Sequence, residues 1–128
     1  MTREQHASIA RAIADAESGT SGRIAVWEIP DASVDALERA RREFENIGLH
    51  RHAPRNAALI VVAPKARQYA IVGDRGLHER VGEQFWNDVV RESRQYFAEG
   101  NVFEGVRTAV RRIGDALHTY FPQEERTT

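Results

Sequence analysis

The stretch AALIVVA, Ala57 to Ala63, constrains the fold of this chain more than any other part of it. All of its residues are apolar, a polar loop precedes it, and Pro64 follows it. A strand with one face in water alternates apolar and polar residues, whereas an unbroken apolar run is typical of a strand covered on both faces. The run therefore predicts a central strand with other elements packed on each side.

Two further strands and four helices are predicted around this run. The β-rich stretches are residues 23–29, which Pro30 ends, and residues 68–73. Apolar residues recur at helical spacing in the remaining segments, and Asp31 or Ser33 is the predicted cap of the second helix. The predicted helices are residues 3–17, a segment that ends near Ile47, residues 83–98 and residues 102–120.

This order of elements determines the expected topology. A helix joins the first two strands, so they are expected to be parallel, and the short turn PKAR makes the third strand antiparallel to the second. The prediction is an α/β fold with a small mixed β-sheet and helices on both faces. A chain of 128 residues suits a single domain, predicted at residues 1–122, with residues 123–128 as a loose C-terminal tail.

The topology also predicts which polar residues meet. The end of the third strand lies at the same sheet edge as the starts of the first two strands. Asp74 is therefore expected near the polar residues that precede or begin those strands, which are Thr20, Ser21, Arg23, Arg55 and Asn56. The opposite edge is expected to carry Glu28, Asp31, Pro64, Lys65 and Arg67.

Composition excludes several classes of function. The formal net charge is −1, so the bulk electrostatic attraction that drives non-specific nucleic-acid binding is missing, and no nucleic-acid partner is expected. The absence of cysteine excludes disulfides, thiolate metal sites and a cysteine nucleophile. No secretory signal or membrane segment is recognisable, and we expect a cytoplasmic protein. All but one of the 18 Lys and Arg residues are arginine, which we interpret first as a genomic or thermal bias.

The tetrapeptide GDRG, Gly73 to Gly76, is the most unusual motif. Its amides are suited to an anion nest, and Asp74 is suited to a hard cation such as calcium. A third interpretation is favoured, in which the strand ends here and Asp74 caps a short helical turn at residues 77–80. The glycine spacing matches neither a Walker loop nor a dinucleotide fingerprint.

Two groups of side chains, the histidines and the hydroxyl-bearing residues before the first strand, are weaker candidates for chemistry. Among the histidines, His78 is the better acid–base candidate because it lies beside Asp74 and Glu79 in the chain, but the favoured interpretation is a surface residue of a helix. His50 and His52 would bind zinc only if a third ligand approached them. Thr20-Ser21-Gly22 offers hydroxyl groups, but no Gly-x-Ser-x-Gly elbow is present, which argues against a serine hydrolase.

Three segments together resemble the TPM-domain family, often labelled TPM phosphatase. They are AIADAESGTSGRIAV, RNAALIVVAPKARQYAIVGDRGLHERVGEQFW and FAEGNVFEGVRTAVRRIGDALHTYFP. The resemblance covers nearly the whole chain and is closest to the short stand-alone bacterial members. It implies an α/β/α sandwich. Plant members are linked to photosystem II repair and credited with acid phosphatase activity, and some members bind calcium or other divalent ions.

The chain departs from the family pattern at acidic positions. Many relatives carry an acidic residue where this chain has Arg23, and another in the hairpin turn where it has Ala66. Without these carboxylates, Arg23 is predicted to pair with Asp74. An edge rich in arginine, formed by Arg23, Arg55 and Arg75, is better suited to an anion than to calcium.

Three functional hypotheses follow. The preferred one is a TPM-type domain that binds a small ligand, an ion or a protein partner and catalyses nothing by itself. The first alternative is a weak acid phosphatase in which Asp74, with Glu79 or Glu83, holds calcium or magnesium and His78 acts as acid–base partner. The second alternative is an anion-binding domain that uses the arginine edge. Whether the chain is an enzyme stays open at this stage.

Overall fold

The sheet has three strands in the order β1-β2-β3, and the apolar run is its central strand. The computed structural model describes residues 1–123. Short 3₁₀ turns at Leu49–Arg51 and Pro64–Ala66 precede β2 and β3. In chain order the elements are α1 (Arg3–Glu17), β1 (Arg23–Glu28), α2 (Ala36–Asn46), β2 (Ala57–Ala63), β3 (Gln68–Gly73), α3 (Arg75–Ala98) and α4 (Val102–Tyr120).

Strand pairing confirms the predicted topology. β1 runs parallel to β2, with Arg23 opposite Ala57, and β3 runs antiparallel to β2, with Gly73 opposite Ala58. Every residue of β2 is buried. The unbroken apolar run is therefore explained, because alternate side chains of a strand point to opposite faces and both faces of this strand are covered.

Two apolar layers lie on the two faces of the sheet. One face packs against α1, α3 and α4, and its buried residues include Ile9, Ile60, Leu77, Val89 and Ile113. The other face packs against α2, and its buried residues include Leu59, Val61, Ala40 and Phe44. The predicted arrangement of helices on both sides of a small mixed sheet is confirmed.

Two helix boundaries differ from the prediction. Asp35 caps α2 by accepting a hydrogen bond from the Glu38 amide at 3.2 Å, so the cap is neither Asp31 nor Ser33. Residues 75–98 form one helical segment, broken at Gly82, which has φ 77° and ψ 168°. The predicted short turn after Asp74 is thus the first part of α3, and the predicted helix at residues 83–98 is the second.

The hydroxyl of Thr20 joins the two ends of the domain. It lies 2.6 Å from the Phe121 carbonyl and 3.2 Å from the Leu117 carbonyl, and it accepts a hydrogen bond from the Gly22 amide at 3.1 Å. Gln123, the first residue of the predicted tail, donates its amide to the Gly19 carbonyl at 2.8 Å. Residues 124–128 of that tail lie outside the described part of the chain. Thr20 is therefore a structural residue.

We expect the free energy of unfolding of a Thr20→Val variant to be about 1–2 kcal/mol lower than that of the wild type. Valine has nearly the same shape but leaves the Phe121 carbonyl and the Gly22 amide without their partner. Urea denaturation followed by circular dichroism measures the difference. A Thr20→Ser variant keeps the hydroxyl and is the matched control, so equal losses in both variants would contradict the role assigned to the hydroxyl.

Within residues 1–123, no helix combines the length and the apolar character needed to cross a bilayer.

Candidate functional site

The end of β3 and the starts of β1 and β2 meet at one edge of the sheet, as predicted. The Asp74 amide donates to the Ala57 carbonyl at 2.9 Å, which continues the ladder between β2 and β3 by one residue. The Asn56 side-chain amide donates to the Ser21 hydroxyl at 3.0 Å. We call this region the Asp74 edge; it comprises Ser21, Arg23, His52, Arg55, Asn56, Asp74 and Arg75.

Asp74 is 6% exposed and forms a bidentate ion pair with Arg55. The guanidinium donates Nε to Oδ2 at 2.6 Å and Nη2 to Oδ1 at 2.8 Å. Oδ1 also accepts from the Arg75 amide at 2.8 Å, which is the cap of α3. The hydrogen bonds to Asp74 hold the pKa of the Arg55 guanidinium above its ordinary value. Both carboxylate oxygens are therefore engaged by the protein itself.

The predicted pairing of Arg23 with Asp74 is wrong, because Arg55 takes that position. Arg23 lies opposite Ala57 in the register of β1 and β2, and its side chain is exposed. The Arg55 backbone has φ 64° in the left-handed region, which turns the chain just before β2 begins. The antiparallel hairpin contained a signal for the pairing of Arg55 with Asp74. In such a hairpin, residues just before Ala57 must lie beside those just after Gly73.

The loop that carries Arg55 is held against the first turn of α3. The Leu77 amide donates to the Arg55 carbonyl at 3.2 Å, and the Arg55 amide donates to the His52 carbonyl at 2.7 Å. A Cβ atom placed on Gly76 would lie 2.3 Å from the Pro54 carbonyl oxygen. Since no real Cβ approaches so closely, only glycine at position 76 allows the loop and the helix to pack at this distance.

The first residue of the motif packs on Trp86. A Cβ on Gly73 would lie 2.3 Å from Cζ2 of the indole, so the ring sits directly against the strand backbone. Trp86 Nε1 donates to His78 Nδ1 at 3.0 Å. This contact leaves Nε2 as the protonated nitrogen of a neutral His78 ring. Gly73, His78 and Trp86 form one packing unit, although they are separated in sequence.

His52 and Asn56 complete the polar part of the edge. The His52 Nε2 atom lies 2.7 Å from the Ser21 carbonyl oxygen. Asn56 is fully buried, and its Oδ1 atom has no hydrogen-bond partner among the residues that the structure describes. The third ligand that a zinc site at His50 and His52 would require is not found within residues 1–123.

The sequence comparison identifies the family, because the model of the TPM domain matches residues 1–116. This chain belongs to the TPM domain family. The NMR structure of the BA42 protein from the psychrophilic bacterium Bizionia argentinensis is 32% identical, superposes with a TM-score of 0.88, and is matched over 98% of this chain and 86% of that chain.

Two solved structures with lower identity share the fold of this TPM domain. The N-terminal domain of a P. gingivalis protein has a TM-score of 0.80 at 15% identity, with 98% of this chain and 83% of that chain covered. The N-terminal domain of the cg2496 protein of Corynebacterium glutamicum has a TM-score of 0.74 at 14% identity, with coverage of 100% and 81%. Among curated proteins, no sequence matches the chain significantly.

The predicted metal ligands of this TPM domain are not gathered in one place. Asp74 is buried and paired with Arg55, whereas Glu79 and Glu83 are exposed on α3. No group of at least three His, Cys, Asp or Glu side chains suited to a metal ion occurs in the described part of the chain. Binding of calcium or magnesium through Asp74, Glu79 and Glu83 stays a prediction.

The three arginines predicted to bind an anion also differ in their surroundings. Arg55 is occupied by Asp74, while Arg23 and Arg75 are exposed. Arg23 lies opposite Ala57 at the start of β1 and forms no ion pair with Asp74. The Asp74 edge thus contains one ion pair whose charges cancel, and the exposed side chains of Arg23 and Arg75 lie at its rim.

Proposed function

We propose that this TPM domain is a binding module that catalyses no phosphoryl transfer by itself. The observation that carries the proposal is the bidentate pairing of Asp74 with Arg55, together with the hydrogen bond from the Arg75 amide. These three bonds give the carboxylate the role of an ion-pair partner and a helix cap. A small ligand or a protein partner then binds elsewhere on the domain surface.

The chemistry of phosphate-ester hydrolysis explains why this pairing matters. A carboxylate that acts as a nucleophile or a metal ligand needs at least one accessible oxygen, because it must approach phosphorus or the cation directly. Asp74 is buried, and a guanidinium already neutralises its charge. His78 uses Nδ1 to accept a hydrogen bond from Trp86, so only Nε2 is available to a substrate. Asp74 therefore lacks a free carboxylate oxygen, and a neutral His78 ring carries its proton on Nε2, so that nitrogen accepts no further proton while the bond from Trp86 is kept.

A phosphomonoesterase assay tests the proposal. We expect purified protein to release no 4-nitrophenol from 4-nitrophenyl phosphate above the buffer rate, with or without calcium, magnesium or manganese. Asp74→Asn keeps the shape of the side chain and is expected to give the same result, because no catalytic group is removed. Circular dichroism would confirm that each sample is folded.

The alternative of a divalent-metal-dependent acid phosphatase is supported by the family resemblance alone and makes the opposite prediction. A metal-dependent activity that purifies with the protein and disappears in Asp74→Asn would refute the binding proposal and establish the enzyme. The anion-binding alternative requires Arg23 and Arg75 to act with a guanidinium that is already paired, which makes it the weaker of the two. A cytoplasmic location also stays a prediction.

A further inference from the structure

A cavity of about 670 Å³ lies at the sheet edge opposite Asp74. It is open to solvent on one side and bordered by the turn between β2 and β3, the C-terminal end of α3 and the start of α4. Small-molecule sites in proteins typically measure about 300–1,000 Å³, so the volume suits a compact organic ligand. The residues of its wall used below are Val62, Arg67, Gln68, Tyr69, Arg94 and Phe97.

Arg67 and Arg94 make this cavity electrostatically positive. Both side chains are exposed, and neither forms an ion pair within residues 1–123. No aspartate or glutamate lines the cavity. Guanidinium groups bind carboxylates and phosphates through parallel hydrogen bonds, so two guanidinium groups without ion-pair partners at one cavity favour an anionic ligand group. In this respect the cavity differs from the Asp74 edge, where Arg55 has a counter-ion.

Two aromatic rings also line the cavity. The rings of Tyr69 and Phe97 stack with centroids 4.2 Å apart and planes inclined by 29°. Val62 lies behind these rings and is only 1% exposed. Burial raises the pKa of the Tyr69 hydroxyl, while the positive charge of Arg94 acts in the opposite direction, which is consistent with a guanidinium near the phenol. Apolar rings beside cationic groups suit a ligand with one charged end and a planar body.

The Gln68 side chain points away from these rings. Its Oε1 atom accepts a hydrogen bond from the Ala36 amide at 2.9 Å, which holds the side chain toward α2. Successive side chains of a strand point to opposite faces, and Tyr69 packs in the layer that contains α3. The charged contacts proposed for a ligand are therefore those of Arg67 and Arg94.

We propose that this cavity binds a small organic anion, with its carboxylate or phosphate group on Arg67 and Arg94 and its flat apolar body against Phe97. The proposal gives a ligand class to the binding role argued above and rests on that role. It places the ligand at the sheet edge away from Asp74.

The backbone at Arg67 permits a test that spares the fold. Arg67 has φ 53° and ψ 41°, a left-handed conformation that glycine adopts more easily than arginine. An Arg67→Gly variant removes the guanidinium without straining the turn. Its melting temperature is expected to equal or exceed that of the wild type, so any loss of binding would come from the missing side chain.

The probes are 1-naphthyl phosphate and 1-naphthoate, which share a planar body and differ in the anionic group. Titrations followed by amide chemical shifts are expected to move the signals of Gln68 and Gly100 with at least one probe. Affinity is expected to fall about tenfold or more in Arg67→Gly and in Arg94→Ala, because each loses charge-assisted hydrogen bonds. Arg80→Ala, an exposed position on the same helix α3, is the matched control and should bind like the wild type.

The relative affinities of the two probes identify the preferred anionic group. Inorganic phosphate alone should bind more weakly than 1-naphthyl phosphate because it lacks the apolar body. Unchanged amide signals at the cavity with both probes would overturn the proposal, as would wild-type affinity in Arg67→Gly. Release of 1-naphthol, detected by fluorescence, would instead overturn the non-catalytic function and leave the cavity assignment standing. The two failures are therefore distinguishable in one experiment.

Discussion

An Asp74→Ala variant is expected to lose about 3 kcal/mol of unfolding free energy. The loss of a helix cap costs about 1 kcal/mol, and the loss of hydrogen bonds to a charged group costs about 1.5–3 kcal/mol. Both effects apply, because Asp74 caps α3 and also receives two hydrogen bonds from Arg55. Urea denaturation of the purified variant, followed by far-UV circular dichroism, measures the change.

Asp35→Ala is the matched control for this prediction. Asp35 caps α2 through the Glu38 amide at 3.2 Å, is exposed, and forms no ion pair among the described residues. Its replacement should cost only about 1 kcal/mol, the usual value for a cap. The difference between the two variants measures what the pair with Arg55 and the burial of Asp74 add. Equal losses would show that Asp74 is an ordinary cap and that its ion pair contributes nothing.

A Gly76→Ala variant is expected to be destabilised by a similar amount, about 3 kcal/mol, at the upper end of the usual cost of overpacking. The added methyl group would lie 2.3 Å from the Pro54 carbonyl oxygen and 2.8 Å from that of Arg55. These are backbone atoms, so the clash is relieved only by moving the loop away from α3. That movement would also weaken the bond from the Leu77 amide to Arg55. Thermal and urea unfolding both report the effect.

Arg75→Ala tests whether the cost at position 76 comes from the close approach. Arg75 is the neighbouring residue in the first turn of α3, and its side chain is exposed. Its replacement is expected to change the unfolding free energy by less than about 0.5 kcal/mol. If Gly76→Ala is as stable as Arg75→Ala, the loop moves away from α3 at little energetic cost, and the packing argument for glycine fails.

These contacts explain the GDRG motif without catalysis. Gly73 lets the Trp86 ring reach the strand backbone, Asp74 caps the helix and binds Arg55, and Gly76 admits the loop. The tryptophan that follows in sequence belongs to the same unit through its bond to His78. A distinctive sequence motif can therefore mark a junction between a strand, a helix and a loop.

The cap of α2 shows one limit of prediction from sequence. Asp31, Ser33 and Asp35 all have side chains able to cap a helix, and local chemistry does not distinguish them. In the structure the Ala36 amide donates to Gln68 on β3, which helps to position the start of α2 beside the sheet. The residue that caps α2, Asp35, is therefore found next to a contact between residues far apart in sequence.

The sequence by itself determined the strands, the parallel and antiparallel pairing, the two-sided burial of β2 and the edge at which Asp74 lies. These features follow from apolar periodicity and from the lengths of connections, which are local properties of a chain. The partner of Asp74 was decided only by the tertiary structure. Arg23 and Arg55 both reach that edge, and the choice depends on the left-handed backbone at Arg55 and on the packing of its loop against Gly76. The cavity with Arg67 and Arg94 likewise appears only once β3 and the end of α3 are folded together.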